Sequence, residues 1–523
     1  MQTVSAPMTT ATSAARRKLQ KRALISFPKA YAATTRFFTV GVSSVGGPDP
    51  IFGTGATLQE WDKYDYADYS ARVIDMETTR EMDILGSTIK AMADFSLSNH
   101  DDKFTPMVDP TIGSYILAGR PVKLFWGFDN DAVPMFTGVT EKMPSVGGSG
   151  LAAKFHATDF IGTIFNTELD QAVMYVDQRT DQILSALLVA HAGLATSQFV
   201  LDLGMNRIPF AYFKKGDKLG NIIQQLVQAE MGQFFQDELG IFRFWNRQHN
   251  VYASPVWSFD HMSNVYDADP PSAESVINVV EVISNVRAVQ AKQKLWESSN
   301  AQEILPGQTV TIFADFKDDF GDLPVTSVDT PLEISIASTS YFEANAQRDG
   351  SGANMAANVT MTSSARFATS YMMTFTNTAP APAFITKLIL YATPAKVISE
   401  IYHRQADAVS VGKYDENVIT ITNDFIQSET AAKSISRMIV EDRKVPANVR
   451  TITVKGVPQL QLGDVVNYDA NDGQGSLTYK VVKMVGKLNK SGLIQQLKLV
   501  RYTIKTYFQV GVSSVGGPDQ IAP

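Results

Sequence analysis

The sequence predicts a mainly β fold with an α+β part, an inserted β-sandwich and extended arms at both termini. Three observations lead to this fold class. Short alternating strands recur along most of the chain, helical periodicity is confined to a few segments, and one 14-residue peptide occurs near each end. A chain of 523 residues is too long for one hydrophobic core, so several domains are expected.

The first β-region is placed at residues 53–165. Alternation of apolar and polar residues predicts a strand over 93–97. The following segment predicts a hairpin in which strand 121–128 turns at Asp129-Asn130-Asp131 and returns through 135–140.

A small α+β domain is predicted at residues 166–265. One helix has Thr180 as its N-cap and Gly193 as its stop. A second helix shows an apolar stripe at helical spacing, formed by Leu219, Ile222, Ile223, Leu226 and Val227. A hairpin turning at 238–240 follows.

A second β-region is assigned to residues 266–305 and 396–505, with a helix at 428–443 that follows an N-cap region at 423–428. Between its two parts, residues 306–395 contain short alternating strands without helical periodicity. Pro306-Gly307 and Pro394 bracket this segment, which predicts an inserted β-sandwich.

The N-terminal arm, residues 1–52, is basic on an acidic chain whose net charge is −7. Two interpretations are open: a solvated tail, or an arm that docks on an acidic neighbour. Binding to nucleic acid is disfavoured, because no aromatic residues interleave with the basic cluster at 16–22.

The repeated peptide reads FTVGVSSVGGPDPI at 38–51 and FQVGVSSVGGPDQI at 508–521, the latter within the C-terminal arm, residues 506–523. The Phe-x-Val-x-Val spacing is period two, which suits addition of a strand to a partner's sheet. The apolar anchors that we predict to dock on a partner are Phe38, Val40, Val42, Val45, Phe508, Val510, Val512 and Val515.

No catalytic, cofactor-binding or metal site is predicted with a recognisable motif. The absence of cysteine excludes thiol nucleophiles and disulfides, and no apolar run is long enough to predict a membrane span. The histidines do not share metal-ligand spacing; they are His100, His156, His191, His249, His261 and His403. We therefore expect a protein that is not an enzyme.

One acidic segment leaves two interpretations open. Asp315, Asp318, Asp319 and Asp322 lie within eight residues. Closely spaced carboxylates in a loop suit Ca²⁺, although the EF-hand pattern is missing, and a solvated acidic loop is the alternative.

Several motifs resemble the tail-tip and baseplate hub proteins of tailed bacteriophages. Leu97-Ser98-Asn99 is followed by Gly119, Pro121, Val122, Leu124 and Gly127 and then by Phe136-Thr137-Gly138-Val139, as in that family's N-terminal region. Residues 423–440 and 454–469 are also similar, the latter through Gly456, Pro458, Leu460, Gly463 and Asp464. The matching pieces span residues 55 to 502, interrupted by the insertion.

The resemblance implies two tail-tube-like β-barrel regions per chain, and three chains that form a ring of six barrels capping the tail tube. It also implies a virion protein at the tail tip, assembled in the host cytoplasm, whose partners are the distal tail ring, the tape measure, and side fibres or receptor-binding proteins. The family is structural and has no catalytic residues to transfer. Two copies of one docking peptide on each of three chains would give six ligands, and so act as a symmetry adaptor.

Two other functions are compatible with the sequence. A hexameric distal tail protein belongs to the same structural class. A carbohydrate-binding or glycan-degrading module would use Trp245, Trp257 or the inserted sandwich, although tryptophans in strand-like segments more often lie in a core.

Overall fold

The structure, a computed structural model, is mainly β, as the sequence predicts. It describes residues 1, 2, 4, 8, 12, 19–27, 66–82, 87–128, 131–147, 151–171, 173–249, 253–262, 264–270, 272–273, 276–316, 326–327, 339–366, 370–446, 448–489 and 492–502.

The strands before the first helix build most of a first β-module. They are β1 (Leu19–Ile25), β2 (Ala67–Asp68), β3 (Val73–Glu81), β4 (Ser87–Ile89), β5 (Ala91–Ser98), β6 (Pro121–Phe128), β7 (Asp131–Thr140), β8 (Ser145–Val146) and β9 (Ala152–Thr158). All except β4 belong to the module, in the order β3-β5-β9-β7-β6-β1-β2 with β8 on β9. The predicted strand and hairpin are confirmed by β5 and by the β6–β7 pair, although residues 129 and 130 of the turn lie outside the described residues.

The first module curls around its own core, because strands far apart in the sheet order share one apolar cluster. Ala23 of β1 and Met76 of β3 both lie in it, with Trp126 fully buried between them. The Lys21 ammonium also donates a hydrogen bond of 2.6 Å to the Val73 carbonyl oxygen, which ties β1 to the start of β3.

β1 lies within the stretch that the sequence analysis treats as a basic arm. Its seven residues Leu19–Ile25 pair antiparallel with β6. Ala23 and Ile25 are fully buried, whereas Arg22 and Leu24, the residues that precede each of them, are not. This burial pattern has period two, as expected of a basic segment that forms a strand of the sheet.

The α+β domain follows. Its elements are α1 (Ile161–Phe165), β10 (Val173–Arg179), α2 (Thr180–Ala190), β11 (Phe199–Leu201), β12 (Arg207–Phe213), α3 (Leu219–Ala229), β13 (Gln233–Gln236) and β14 (Phe242–Trp245). They form a four-stranded sheet, β11-β14-β13-β4, and the pair β10-β12. The apolar stripe of α3 is fully buried as predicted, and the predicted hairpin is β13–β14.

The N-cap predicted for α2 is wrong by one residue. Thr180 is the first helical residue and Arg179 is the N-cap, whose backbone N–H donates to the Gln182 side chain at 3.0 Å. The Thr180 hydroxyl instead donates to the buried Glu230 carboxylate at 2.7 Å, so a tertiary contact takes the group that would otherwise cap the helix.

The chain then forms strands that belong to four different sheets. They are β15 (Trp257–Asp260), β16 (Val265–Ala268), β17 (Ser272–Ala273), β18 (Val279–Val289), β19 (Gln293–Glu297), β20 (Gln302–Ile304), β21 (Thr309–Asp315), β22 (Thr326–Ser327), β23 (Phe342–Asn345), β24 (Val359–Arg366), β25 (Ser370–Asn377), β26 (Ala383–Ala392), β27 (Pro394–Ala406) and β28 (Val418–Thr422).

A sandwich occupies the middle of this region. β19, β20 and β23 pair with β26, and a second sheet has the order β21-β25-β24. One apolar core lies between the two sheets, in which the rings of Phe342 and Phe375 stack at 5.6 Å. The sandwich runs from Gln293 to Ala392, whereas the sequence predicts 306–395. The difference arises because β19 and β20 are short strands recognisable only by their pairing with β26.

The sandwich sits at the end of a two-stranded ribbon. β18 and β27 pair from Val279–Ala406 to Val289–Ala395, within the sheet β22-β27-β18-β28, which we name the stalk sheet. The helices near it are α4 (Ala408–Tyr414) and α5 (Glu429–Arg443). Ser428 caps α5 by accepting the Ala431 backbone N–H, as predicted.

The stalk sheet and α5 share their core with the α+β domain. Val280 and Val282 of β18 and Ile435 of α5 lie in the same apolar cluster as α2 and α3. These segments are predicted from the sequence to belong to the second β-region, whereas their buried faces connect them to the α+β core.

The last strands complete a second β-module. They are β29 (Asn448–Lys455), β30 (Val465–Asp469), β31 (Ser476–Asn489) and β32 (Gly492–Arg501). With β15 to β17 they form the order β16-β29-β32-β31-β30-β15, with β17 also on β29. Between the two end strands, Asn264 N–H donates to the Asp260 carbonyl oxygen at 3.1 Å, and Tyr468 and Tyr479 are buried in the interior.

Candidate assembly site

The two β-modules repeat one topology. In the first module the order is β3-β5-β9-β7-β6, and in the second it is β16-β29-β32-β31-β30. Every neighbouring pair within each series is antiparallel. The strands also follow each other in the same sequence order, so each strand of one five-strand series has an equivalent in the other.

The equivalence extends to the register of the central pair. β5 and β9 pair from Met92–Thr158 to Ser98–Ala152, and β29 and β32 pair from Val449–Val500 to Lys455–Ile494. Each ladder ends in the same backbone hydrogen bond. Asn99 N–H donates to the Leu151 carbonyl at 2.9 Å, and Gly456 N–H donates to the Leu493 carbonyl at 3.0 Å.

The outer strands carry the same irregularity at the same place. β3 has a bulge between Val73 and Asp75, and β16 has a bulge between Val265 and Asp267. The residues are Val-Ile-Asp in one strand and Val-Tyr-Asp in the other. Because β-bulges re-aim a strand, both outer strands leave their modules in a similar way.

The glycines of the family-like motifs occupy one equivalent position. Gly119 has φ of +77° and Gly463 has φ of +85°, a region that favours glycine, and each lies two residues before its strand. Gly119 N–H donates to the Thr140 carbonyl, and Gly463 N–H donates to the Val481 carbonyl. Each motif by itself resembles the family, but only the sheet shows that the two motifs are equivalent to each other.

The modules join edge to edge within the chain. β3 of the first module pairs antiparallel with β31 of the second, from Met76–Leu488 to Glu81–Lys483. Two ion pairs cross this joint: Lys483 to Glu81 at 2.7 Å and Lys487 to Glu77 at 3.2 Å. Together the modules form one continuous sheet.

A buried glycine allows the first module to cover the joint. A Cβ added to Gly486 would lie 2.5 Å from a ring carbon of the fully buried Trp126. The backbone of β31 therefore passes directly beneath the indole, a separation that only glycine permits.

A buried polar network connects both modules to the α+β domain. Glu238, in the turn between β13 and β14, accepts from the Arg80 guanidinium of β3 and from the Gln461 side chain at 2.9 Å. The Glu238 carbonyl also accepts the Thr137 hydroxyl of β7 at 2.8 Å. One turn thus fixes the position of three parts of the chain, and pairing compensates for burying its charge.

Asp159 lies beside this network, at the end of β9. Its carboxylate accepts the Ala91 backbone N–H at 2.6 Å and the Ile161 backbone N–H at 3.3 Å. Burial raises the pKa of Asp159 to about 6, against the lowering effect of these hydrogen bonds and of Arg80.

Most sequence-predicted site residues lie outside the described residues. This holds for all eight anchors of the repeated peptides and for Asp318, Asp319 and Asp322 of the acidic loop, whereas Asp315 ends β21. Among the described residues, no three His, Asp or Glu side chains cluster in a way that could hold a metal ion. In the same part of the chain, no helix is long and apolar enough to cross a membrane.

The two tryptophans considered for glycan binding pack at the margins of cores. Trp245 stacks on His249 with ring centroids 4.3 Å apart and contacts Phe235 edge-on at 4.6 Å. Trp257 is partly buried against the core of the second module. Neither indole stands open to solvent as a stacking platform.

Solved structures similar to this chain include tail proteins, two of them from prophages. The 43 kDa tail protein of prophage MuSo2 from Shewanella oneidensis is 10% identical with a TM-score of 0.44, covering 83% of this chain and 96% of that protein. The tail protein from Neisseria meningitidis MC58 is 10% identical with a TM-score of 0.45, covering 84% and 94%. Prophage tail protein gp18 from Listeria monocytogenes EGD-e is 10% identical with a TM-score of 0.41, covering 84% and 93%. No family model and no curated protein sequence matches.

Proposed function

We propose that this chain is a structural protein of a phage tail tip, a trimeric hub whose six β-modules close the end of the tail tube. The observation that carries this proposal is the internal duplication. Two modules of one topology, joined edge to edge, give each chain two equivalent units around an axis. Three chains then present six units, which match a sixfold tube while using threefold symmetry.

The role is architectural rather than catalytic. The buried charges described above connect modules to one another, as Glu238 does, instead of facing a cleft. Its partners are other tail proteins: the distal tail ring, the tape measure, and side fibres or receptor-binding proteins. It acts at the virion tail tip after assembly in the host cytoplasm.

The repeated peptides supply the docking elements in this proposal. The first copy lies in the segment between β1 and β2 of the first module, and the second copy follows β32 of the second module. Each module therefore bears one copy, so that a trimer presents six. Every anchor that buries its side chain on a partner would contribute about 1.5–3 kcal/mol.

The subunit number is the first test. Native mass spectrometry of the purified chain should give three copies per particle. Six copies would favour the hexameric distal tail protein, and a monomer at all concentrations would contradict the ring.

Docking is tested separately with Val42→Asp and Val512→Asp. Each variant is added to tail components that lack the hub, and each single change should reduce the amount of hub incorporated into tails. The double variant should abolish incorporation while remaining trimeric. Ser43→Asp with Ser513→Asp is the matched control, since these serines directly follow Val42 and Val512 and are not among the predicted anchors. Equal incorporation of the double valine variant would exclude the anchors.

A further inference from the structure

The outer strand of each module has two sides, and the modules differ in how the second side is used. β3 pairs with β5 on one side and with β31 on the other. Its equivalent, β16 with β17, pairs with β29 on one side, and no described strand lies on its other side. The second module therefore ends in an unpaired strand edge.

The first module has the complementary edge. In the joint, β3 pairs with the second half of β31, the part that follows the Val481 bulge. In the first module, the equivalent of that part is β8. Ser145 pairs with Lys154, as Val485 pairs with Gln496 in the second module. Val146 pairs with Ala153, as Gly486 pairs with Gln495.

β8 also ends in an unpaired edge. It pairs with β9, and among the described residues no strand lies on its other side. Each chain therefore has two unpaired edges. The edge at β16 and β17 is equivalent to β3 in the joint, and the edge at β8 is equivalent to the second half of β31. β16 is the terminal strand of the continuous sheet, whereas β8 branches from β9, five strand steps beyond β29 along the same sheet. The two edges are therefore not paired with each other within the described part of one chain.

Large apolar side chains lie exposed beside both edges. Tyr266 of β16 is 63% exposed and Met262 before it is 77% exposed, while Met143 before β8 is 52% exposed. Exposed edges with apolar neighbours are the features that strand pairing with another chain removes.

We propose that neighbouring copies of this chain join by strand addition, in which β16 and β17 of one copy pair antiparallel with residues 144–147 of the next. This inference rests on the proposed ring and specifies the surface between its subunits. The partner is a second copy, because each chain contains the joint of β3 with β31 and also carries an unpaired equivalent of each of these two strands. Such a head-to-tail contact closes into a ring when its rotation permits.

The internal joint also predicts the register between copies. Thr79 pairs with Val485 in the joint. Met92 and Val449 are equivalent positions in the central pairs, and Thr79 pairs with the first as Ser272 pairs with the second, so Thr79 and Ser272 are equivalent. Val485 and Ser145 are equivalent because their partners on β32 and β9 are. Ser145 of one copy should therefore lie opposite Ser272 of the next.

Disulfide cross-linking tests this register directly, because the chain contains no cysteine. Residues opposite each other on antiparallel strands have Cβ atoms about 4.5–5.5 Å apart, near the separation that a disulfide needs. The variant Ser145→Cys with Ser272→Cys, oxidised in the assembled state, should give covalent dimers and trimers on a non-reducing gel. A mixture of the two single variants should stop at dimers.

Two further variants calibrate the result. Thr79→Cys with Val485→Cys places the same pair in the internal joint and should cross-link within one chain, without a change of mass. Ser145→Cys with Ser258→Cys uses an exposed serine of β15, which pairs with β30 and is not part of the proposed contact, and should remain uncross-linked between copies.

Each outcome has a distinct meaning. A trimer that resists cross-linking at 145 and 272, while the internal pair forms, would overturn the proposed edge and leave the ring intact. Cross-links that extend beyond three chains would support the edge and contradict the closed trimer. A monomer without cross-links would overturn both. Hydrogen exchange gives a second readout, since 144–147 and 264–273 should become protected on assembly.

Discussion

The buried ion pair between Arg80 and Glu238 should hold the first module against the α+β domain. Their side chains are 6% and 5% exposed, so neither charge can be solvated if its partner is removed. Replacing Arg80 by Met leaves a buried carboxylate with the Gln461 amide as its remaining side-chain donor. Breaking a buried pair in this way costs about 3–5 kcal/mol.

The double variant separates this charge effect from lost packing. Arg80→Met and Glu238→Gln should each destabilise the transition that includes the first module. The double variant should cost clearly less than the sum of the two, because it leaves no uncompensated charge. Urea unfolding followed by tryptophan fluorescence measures the free energies, and hydrogen exchange over 232–245 shows whether the turn is the part that opens.

An exposed pair provides the control. Lys294 and Glu297 in the sandwich are 51% and 45% exposed, and Lys294→Met should change stability by no more than about 1 kcal/mol. The reasoning fails if Arg80→Met is as mild as this control, or if the two buried changes are additive. Either result would mean that water reaches the pair or that the turn is not anchored by it.

Three further perturbations follow from the structure. The pKa of Asp159 is raised from 3.8 to about 6, so the folded state binds the carboxyl proton more tightly than the unfolded chain does. The contribution of Asp159 to the free energy of unfolding therefore falls as pH rises from about 4 to 6, by at most about 1.4 kcal/mol per pH unit. Melting curves should show that Asp159→Asn gains stability over the wild type across that range, and parallel curves would contradict the shift. Gly486→Val should cost about 1–3 kcal/mol in thermal unfolding through collision with Trp126, whereas Gly162→Ala, whose Cβ meets nothing within 4 Å, should not destabilise. Replacing residues 291–393 by Asn-Gly should leave a folded hub of the same subunit number, because Gln290 N–H already bonds to the Pro394 carbonyl at 2.8 Å across the ribbon; loss of assembly would show that the sandwich is needed for the ring.

The last of these changes shows what the tertiary structure adds to a domain boundary. The sequence places the insertion at 306–395. A deletion with these bounds would remove β26 and the first residues of β27, and it would leave β19 and β20 without partners. Turn residues such as Pro306-Gly307 mark a loop between strands. Only the pairing of β18 with β27 shows where two strands separate from the body.

The sequence by itself determined the local elements. The β6–β7 hairpin, the buried stripe of α3 and the Ser428 cap of α5 depend on residues within about twenty positions of each other, so alternation, helical period and capping chemistry suffice to predict them. The tertiary structure decided the rest: that a basic segment becomes β1, that β18 belongs to the α+β core, and that the two modules are copies joined at β3 and β31. The Lys483–Glu81 pair in that joint is separated by 402 residues. Strand pairing over such a separation depends on which faces are already buried when the edges meet, and a one-residue change of register would reverse those faces, so no local pattern contains it.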